Sequence, residues 1–151
     1  MFETVSENKQ IVRRFFKDLW NKGNLAAADP IIAPNHALHD PATPDFGKGP
    51  DGMKQIVTLY RNAFPDVQFT IDHMIDADDF VTTRYTATGT HKGELRGIAP
   101  TNKAIKVEGI LITRMSRGRF AESWVIWDAL GLMEQLGAVP ALEKAKAQTA
   151  K

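Results

Sequence analysis

Along the first third of the chain, apolar residues recur at helical spacing. Ile11/Val12, Phe15/Phe16 and Leu19/Trp20 return every four residues, which predicts an amphipathic helix over about 5–22. Thr4 and Glu7 form a capping-box pattern at its start, and Gly23 supplies a stop. Asn24 can cap a short second helix over 25–33, with Pro30 either early in it or breaking it. Residues 36–50 are rich in Pro, Gly and Asp and read as a short strand at 36–40 followed by an irregular loop. A third helix is expected from Asp51, with Met53, Ile56, Val57, Tyr60 and Phe64 as its apolar stripe, ended by Phe64-Pro65-Asp66.

The period then changes from four to two. Val67, Phe69, Ile71, His73 and Ile75 alternate with Gln68, Thr70, Asp72 and Met74, which predicts a strand. Asp76 to Asp79 reads as a turn, and 80–91 is a long strand rich in β-branched residues. A loop over 92–103 leads to a third long strand at 104–115, a turn at Ser116-Arg117-Gly118 and a fourth strand at 119–128. A short helix over 129–136 stops at Gly137, and the Ala/Lys-rich tail at 143–151 is expected to fray. The predicted order is helix, helix, short strand, helix, four long antiparallel strands, then a short closing helix. The helices can cover only one face of the sheet, so the other must curl or meet a partner. Both faces of 105–115 carry aliphatics, Val107 and Leu111 on one and Ile110 and Ile112 on the other. A homodimer packed through the outer sheet face is therefore expected.

Length and composition narrow the function classes. The 151 residues suit a single domain spanning 1–151, with its core at about 7–140 and a flexible tail at 141–151. Nineteen basic residues against eighteen acidic ones leave a net charge near +1, and no basic stripe follows a helix, so no nucleic-acid partner is expected. There is no cysteine, which removes disulfides and thiolate metal sites. No leader-like or bilayer-length apolar run is visible, so a cytoplasmic protein with no membrane partner is expected. Nucleophile elbows, dinucleotide fingerprints and phosphate-binding loops are likewise missing, and no cofactor is expected.

Candidate chemistry gathers at the end of the chain. Two-residue spacing puts Glu122, Trp124, Ile126 and Asp128 on one row, with Ser123, Val125 and Trp127 on the other. If the first row faces a cavity, Asp128 sits in apolar company, which raises a carboxyl pKa and suits proton transfer. The alternative reading makes Asp128 the cap of the helix starting at Ala129. His39 precedes Asp40-Pro41 near the expected cavity mouth, and His91 ends a strand facing the same way as Tyr85 and Val81. His36 is expected to be exposed, and His73 to alternate with core residues. His36, His39 and Asp40 are the only grouping that could hold a metal, and no metal is expected, since neither a helical His pair nor a thiolate supports one. Arg84 and Arg114 could anchor a substrate oxygen or pair with Glu108 and Glu122 across the sheet. Phe16, Trp20 and Tyr60 are core aromatics that would serve as walls of a cavity.

The stretch Gly118-Arg119-Phe120-Ala121-Glu122-Ser123-Trp124-Val125-Ile126-Trp127-Asp128-Ala129-Leu130-Gly131-Leu132-Met133-Glu134-Gln135-Leu136-Gly137 resembles the terminal motif of the SnoaL-like polyketide cyclases, also called ester cyclases. Phe64-Pro65-Asp66, Gly89-Thr90-His91-Lys92-Gly93-Glu94, Pro100-Thr101, Gly109-Ile110 and His39-Asp40-Pro41 agree with it, so the resemblance spans nearly all of 7–140. It implies an α+β, nuclear transport factor 2-like (cystatin-like) fold, with three helices of the N-terminal half packed on a curved antiparallel sheet. It implies that Asp128 is the acid/base, with His39 as a second catalytic candidate. It makes His91, Arg114 and Trp124 pocket residues, which join Phe16, Trp20, Tyr60 and Arg84 from the reading of the residues as substrate-binding candidates. The implied reaction is a cofactor-free intramolecular aldol closure on a small hydrophobic carbonyl compound. Two other functions fit such a fold: an epoxide hydrolase, needing an Asp–Arg–Asp set, and a non-catalytic binder of a small lipophilic molecule.

Overall fold

A computed structural model of the protein describes residues 6–141. Helix α1 (Glu7–Arg14) starts at Ser6, whose hydroxyl accepts the Lys9 N–H at 3.3 Å. Thr4 of the expected capping box and the expected frayed tail at 143–151 lie outside the described residues. α1 runs directly into a π-helical segment (Phe15–Asn21) that buries Phe15, Phe16, Leu19 and Trp20. This segment's carbonyl end is held by Arg61, which donates to Trp20 O at 2.6 Å and Asn21 O at 3.2 Å. The expected second helix is only a 3-10 turn (Leu25–Ala28), because Pro30 cannot donate the backbone bond that would extend it.

Strand β1 (Ile32–His39) is longer than expected and lies parallel to β5. Helix α2 (Gly49–Ala63) follows, with Pro50 in its first turn, where a missing N–H costs nothing. Four strands then form the meander: β2 (Gln68–Ala77), β3 (Phe80–Thr90), β4 (Ala104–Ser116) and β5 (Arg119–Trp127). Arg117 and Gly118, both at positive φ, make the tight turn between β4 and β5. α3 (Ala129–Leu136) ends at Gly137, whose φ of 76° closes the helix. The sheet order is β1-β5-β4-β3-β2, so β1 turns an antiparallel meander into a mixed sheet.

Burial alternates along the long strands. In β4, Ile105, Val107, Gly109, Leu111, Thr113 and Met115 are buried, and the residues between them point away from the core. Two bulges change faces elsewhere. At Asp72 the β2–β3 register slips by one, so Met74 turns inward while His73 and Ile75 turn out. The expected row through His73 and Ile75 therefore ends at Ile71. At Ala121 a second slip carries the inner row from Phe120 to Ser123, Val125 and Trp127.

Candidate active site

The inner face of the sheet, the π-helical segment, α2 and α3 surround a cavity of about 100 Å³ that opens to solvent. Its wall is almost wholly apolar: Phe15, Phe16, Trp20, Met53, Ile56, Phe64, Phe69, Val107, Leu111 and Val125 are among its lining residues. Aromatic rings meet at close range, with Trp20 and Phe69 centroids 4.7 Å apart and Phe16 and Tyr85 5.6 Å apart. Five lining residues carry side-chain N–H or oxygen groups: Trp20, Asp40, Tyr60, Tyr85 and Trp127. Asp40 is the only acidic residue among those described that lines the cavity.

Asp40 follows directly on β1, and the parallel pairing of β1 with β5 brings it beside Trp127. The Trp127 indole N–H donates to both carboxylate oxygens at 3.2 Å. The Ala42 backbone N–H donates to Oδ1 at 2.9 Å, and the Thr43 hydroxyl donates to Oδ2 at 2.6 Å. Thr43 has spent its proton on Asp40, so at 2.8 Å it accepts the proton of Tyr60. The result is a relay from Tyr60 through Thr43 to Asp40. Burial pushes the Tyr60 phenol above its ordinary value, and it remains a donor at neutral pH. Arg96 donates to Ala42 O at 2.9 Å and so ties the 92–103 loop to the loop carrying Thr43.

The sequence-predicted site residues divide between the two faces. Phe16, Trp20 and Tyr60 line the cavity. The Glu122, Trp124 and Ile126 row faces away from it, contrary to the expectation for β5, because the inner row belongs to Val125 and Trp127. Asp128 is exposed, outside the cavity lining, and caps α3 by accepting the Gly131 N–H at 2.9 Å. The burial that would favour a neutral carboxyl there is absent. His39 is also exposed, stacked on Trp124 at 5.5 Å and bonded to Glu122 at 2.7 Å, which holds the Glu122 carboxyl below its usual range. Arg84 contacts Glu108 at 3.4 Å and Arg114 contacts Glu122 at 3.6 Å, the ion-pair alternative of the two readings. His91 is fully buried behind Phe64, accepting the Thr101 N–H at 3.2 Å, and does not line the cavity.

His36 is buried, contrary to expectation, and bonds to Ser123 at 2.9 Å, which in turn meets Thr113 at 3.0 Å. His36, His39 and Asp40 thus point to three different environments and cannot share an ion. No grouping of three or more His, Cys, Asp or Glu side chains suited to a metal occurs among the described residues. No described helix is long and apolar enough to cross a membrane.

Sequence reasoning missed Asp40, Thr43, Tyr85 and Trp127 as site residues. One signal was available. Gly109 interrupts a strand otherwise built of aliphatic and β-branched residues, and an isolated strand glycine marks a close approach by another group.

Comparison with known proteins gives a consistent result. The family model of the SnoaL-like polyketide cyclases matches residues 10–136. A candidate polyketide cyclase from Acidithiobacillus ferrooxidans is 34% identical, with a TM-score of 0.81 over 91% of this chain and 99% of its own. TsrD from Streptomyces laurentii is 26% identical, with a TM-score of 0.80 over 91% and 100%. IdmH, a candidate polyketide cyclase from Streptomyces antibioticus, is 26% identical, with a TM-score of 0.75 over 87% and 99%. Among curated protein sequences, none matches the chain significantly.

Proposed function

Because the chain belongs to the SnoaL-like polyketide cyclase family, we propose that it is an acid/base enzyme for a small, largely apolar carbonyl compound, with Asp40 moving the proton. The observation that carries this reading is a lone carboxylate in an apolar cavity, oriented by three separate donors from Trp127, Ala42 and Thr43. A carboxylate fixed at the wall of an apolar cavity gives a general base its reach and orientation.

In the intramolecular aldol version, Asp40 takes a proton from a carbon flanked by carbonyl groups. The enolate carbon attacks a second carbonyl of the same molecule, forming one C–C bond and an alkoxide. Asp40 returns the proton to that alkoxide, so the step is an isomerisation with no external reagent. The cavity wall contributes by folding the substrate into a reactive conformer. This chemistry calls for no cofactor. Of the other functions, epoxide opening would need an arginine free beside the cavity acid; Arg84 and Arg114 are engaged on the other face, and Arg96, near the acid, is engaged with the Ala42 carbonyl.

The family motif points to Asp128 as the acid/base, whereas the cavity favours Asp40, and one experiment separates them. Exchange of the α-proton of methyl benzoylacetate into D2O, measured above the buffer rate, reads proton abstraction without knowledge of the native substrate. Asp40→Asn is expected to lose two or more orders of magnitude, the usual contribution of a general base. Asp128→Asn, which still caps, is expected to keep near-full exchange. The reverse pattern would return the role to Asp128. No exchange by the wild type, together with tight ligand binding, would support a non-catalytic binder.

A further inference from the structure

A second polar group in the cavity is left unused by this mechanism. Tyr85 on β3 is only 7% exposed and lines the cavity, yet its hydroxyl bonds to no other described residue. The ring is buried but the hydroxyl is not sealed off, so it opens onto the cavity where a bound molecule can reach it.

The hydroxyl has a purpose-shaped seat. Tyr85, Gly109 and Trp127 lie side by side across β3, β4 and β5, directly paired in register. A Cβ at Gly109 would overlap the Tyr85 hydroxyl and come within 2.8 Å of the Trp127 Cβ. Glycine in mid-strand costs stability. Here it lets the phenol lie flat across β4 toward Trp127, the residue whose indole holds Asp40. Phe16 and Phe69, with centroids 5.6 and 5.2 Å from the Tyr85 ring, fix the ring from the other side.

We propose that the Tyr85 hydroxyl is a catalytic residue that donates to the substrate's carbonyl oxygen and holds that oxygen as it becomes an enolate. The assignment rests on the acid/base reading of the cavity and adds the electrophilic half of the site. It also sets the substrate class: the acceptor is a carbonyl oxygen flanked by apolar groups, whose α-carbon faces Asp40. Burial, and then the Asp40 carboxylate, push the phenol well above its ordinary value, so it stays protonated and able to donate at neutral pH. A preoriented donor of this kind in a water-poor site typically contributes 10²- to 10³-fold in rate.

The test uses acetophenone, an apolar ketone with a single carbonyl, bound to the full-length protein. The difference in infrared absorption between its 12C and 13C carbonyl forms reports hydrogen bonding to the oxygen directly. Wild type is expected to show a bound band at lower frequency than acetophenone in an apolar solvent. Tyr85→Phe should return the band to the apolar position and lower α-proton exchange of methyl benzoylacetate on the order of 100-fold. Gly109→Ala, which keeps the phenol but removes its seat, is expected to lose the low-frequency band as well, and covers the case in which Tyr85→Phe fails to fold. An unchanged low-frequency band in both folded variants, or no binding of acetophenone to the wild type, overturns the assignment. Full exchange activity in Asp40→Asn alongside the expected infrared result would instead sink the Asp40 reading and leave Tyr85 as the carbonyl anchor.

Discussion

Two aspartates show how the surroundings of a residue decide its role. Asp128 and Asp40 each accept backbone N–H groups, but one does so on the surface and the other inside an aromatic cavity. The cap reading of Asp128 has its own consequence. Replacing an N-cap Asp by Ala costs about 1 kcal/mol, while Asn caps nearly as well. Asp128→Ala is expected to lower the unfolding free energy by about 1 kcal/mol in denaturant titration, with Asp128→Asn close to wild type. Equal stability of the Ala variant would mean that the bond to Gly131 contributes nothing. Phe16, Trp20 and Tyr60 were legible as cavity walls because helical spacing puts each on the apolar stripe of its own helix. Asp40 was not, because it becomes a site residue only through β1 pairing with β5, a contact across 87 positions of sequence.

At the scale of elements, the meander strands and the closing helix were legible to within a residue or two, since period-two alternation and the turn at Arg117-Gly118 are local signals. The two bulges were not, because one inserted residue leaves no mark in composition, yet it reverses every side chain beyond it. The Ala121 bulge places Ser123 inward, where it joins β1, β5 and β4 through His36, Ser123 and Thr113. Burial is the main reason the His36 pKa falls to about 4; Glu122 opposes the shift and His39 adds to it. The unfolded value is about 6.5, so between pH 4 and 6.5 the folded protein binds fewer protons than the unfolded chain. Stability from this group is complete above pH 6.5 and is lost as pH falls toward 4. The difference corresponds to about 3 kcal/mol at most. Urea unfolding at pH 7 and pH 4 should therefore show a smaller acid loss in His36→Gln than in wild type. An identical loss in both would show that His36 is not the group responsible.

For the whole molecule, the sequence left open which sheet face meets the core, because both carry aliphatics. The structure resolves this by placing the helices over the row of Val107, Leu111 and Val125. The opposite row remains uncovered: Ile126 is 67% exposed, Ile110 46%, and Ile112, Trp124 and Phe80 lie beside them. On that face Arg84 pairs with Glu108 and Arg114 with Glu122, and Lys106 and Asp72 add one charge of each sign, so two copies of the face meet without strong net repulsion. An exposed apolar patch of this kind on a sheet is a typical association surface. A second copy is the proposed occupant, since an isologous contact lets the same patch cover itself about a two-fold axis. Light scattering at micromolar concentration is expected to give twice the 16.8 kDa chain mass. Ile110→Glu combined with Ile126→Glu places like charges into the contact while leaving the inner face untouched, and should yield a folded monomer. The cavity lies on the far side of the sheet, so the monomer should still bind acetophenone. A wild type that scatters as a monomer, or a double variant that remains dimeric, would rule out this face as the interface.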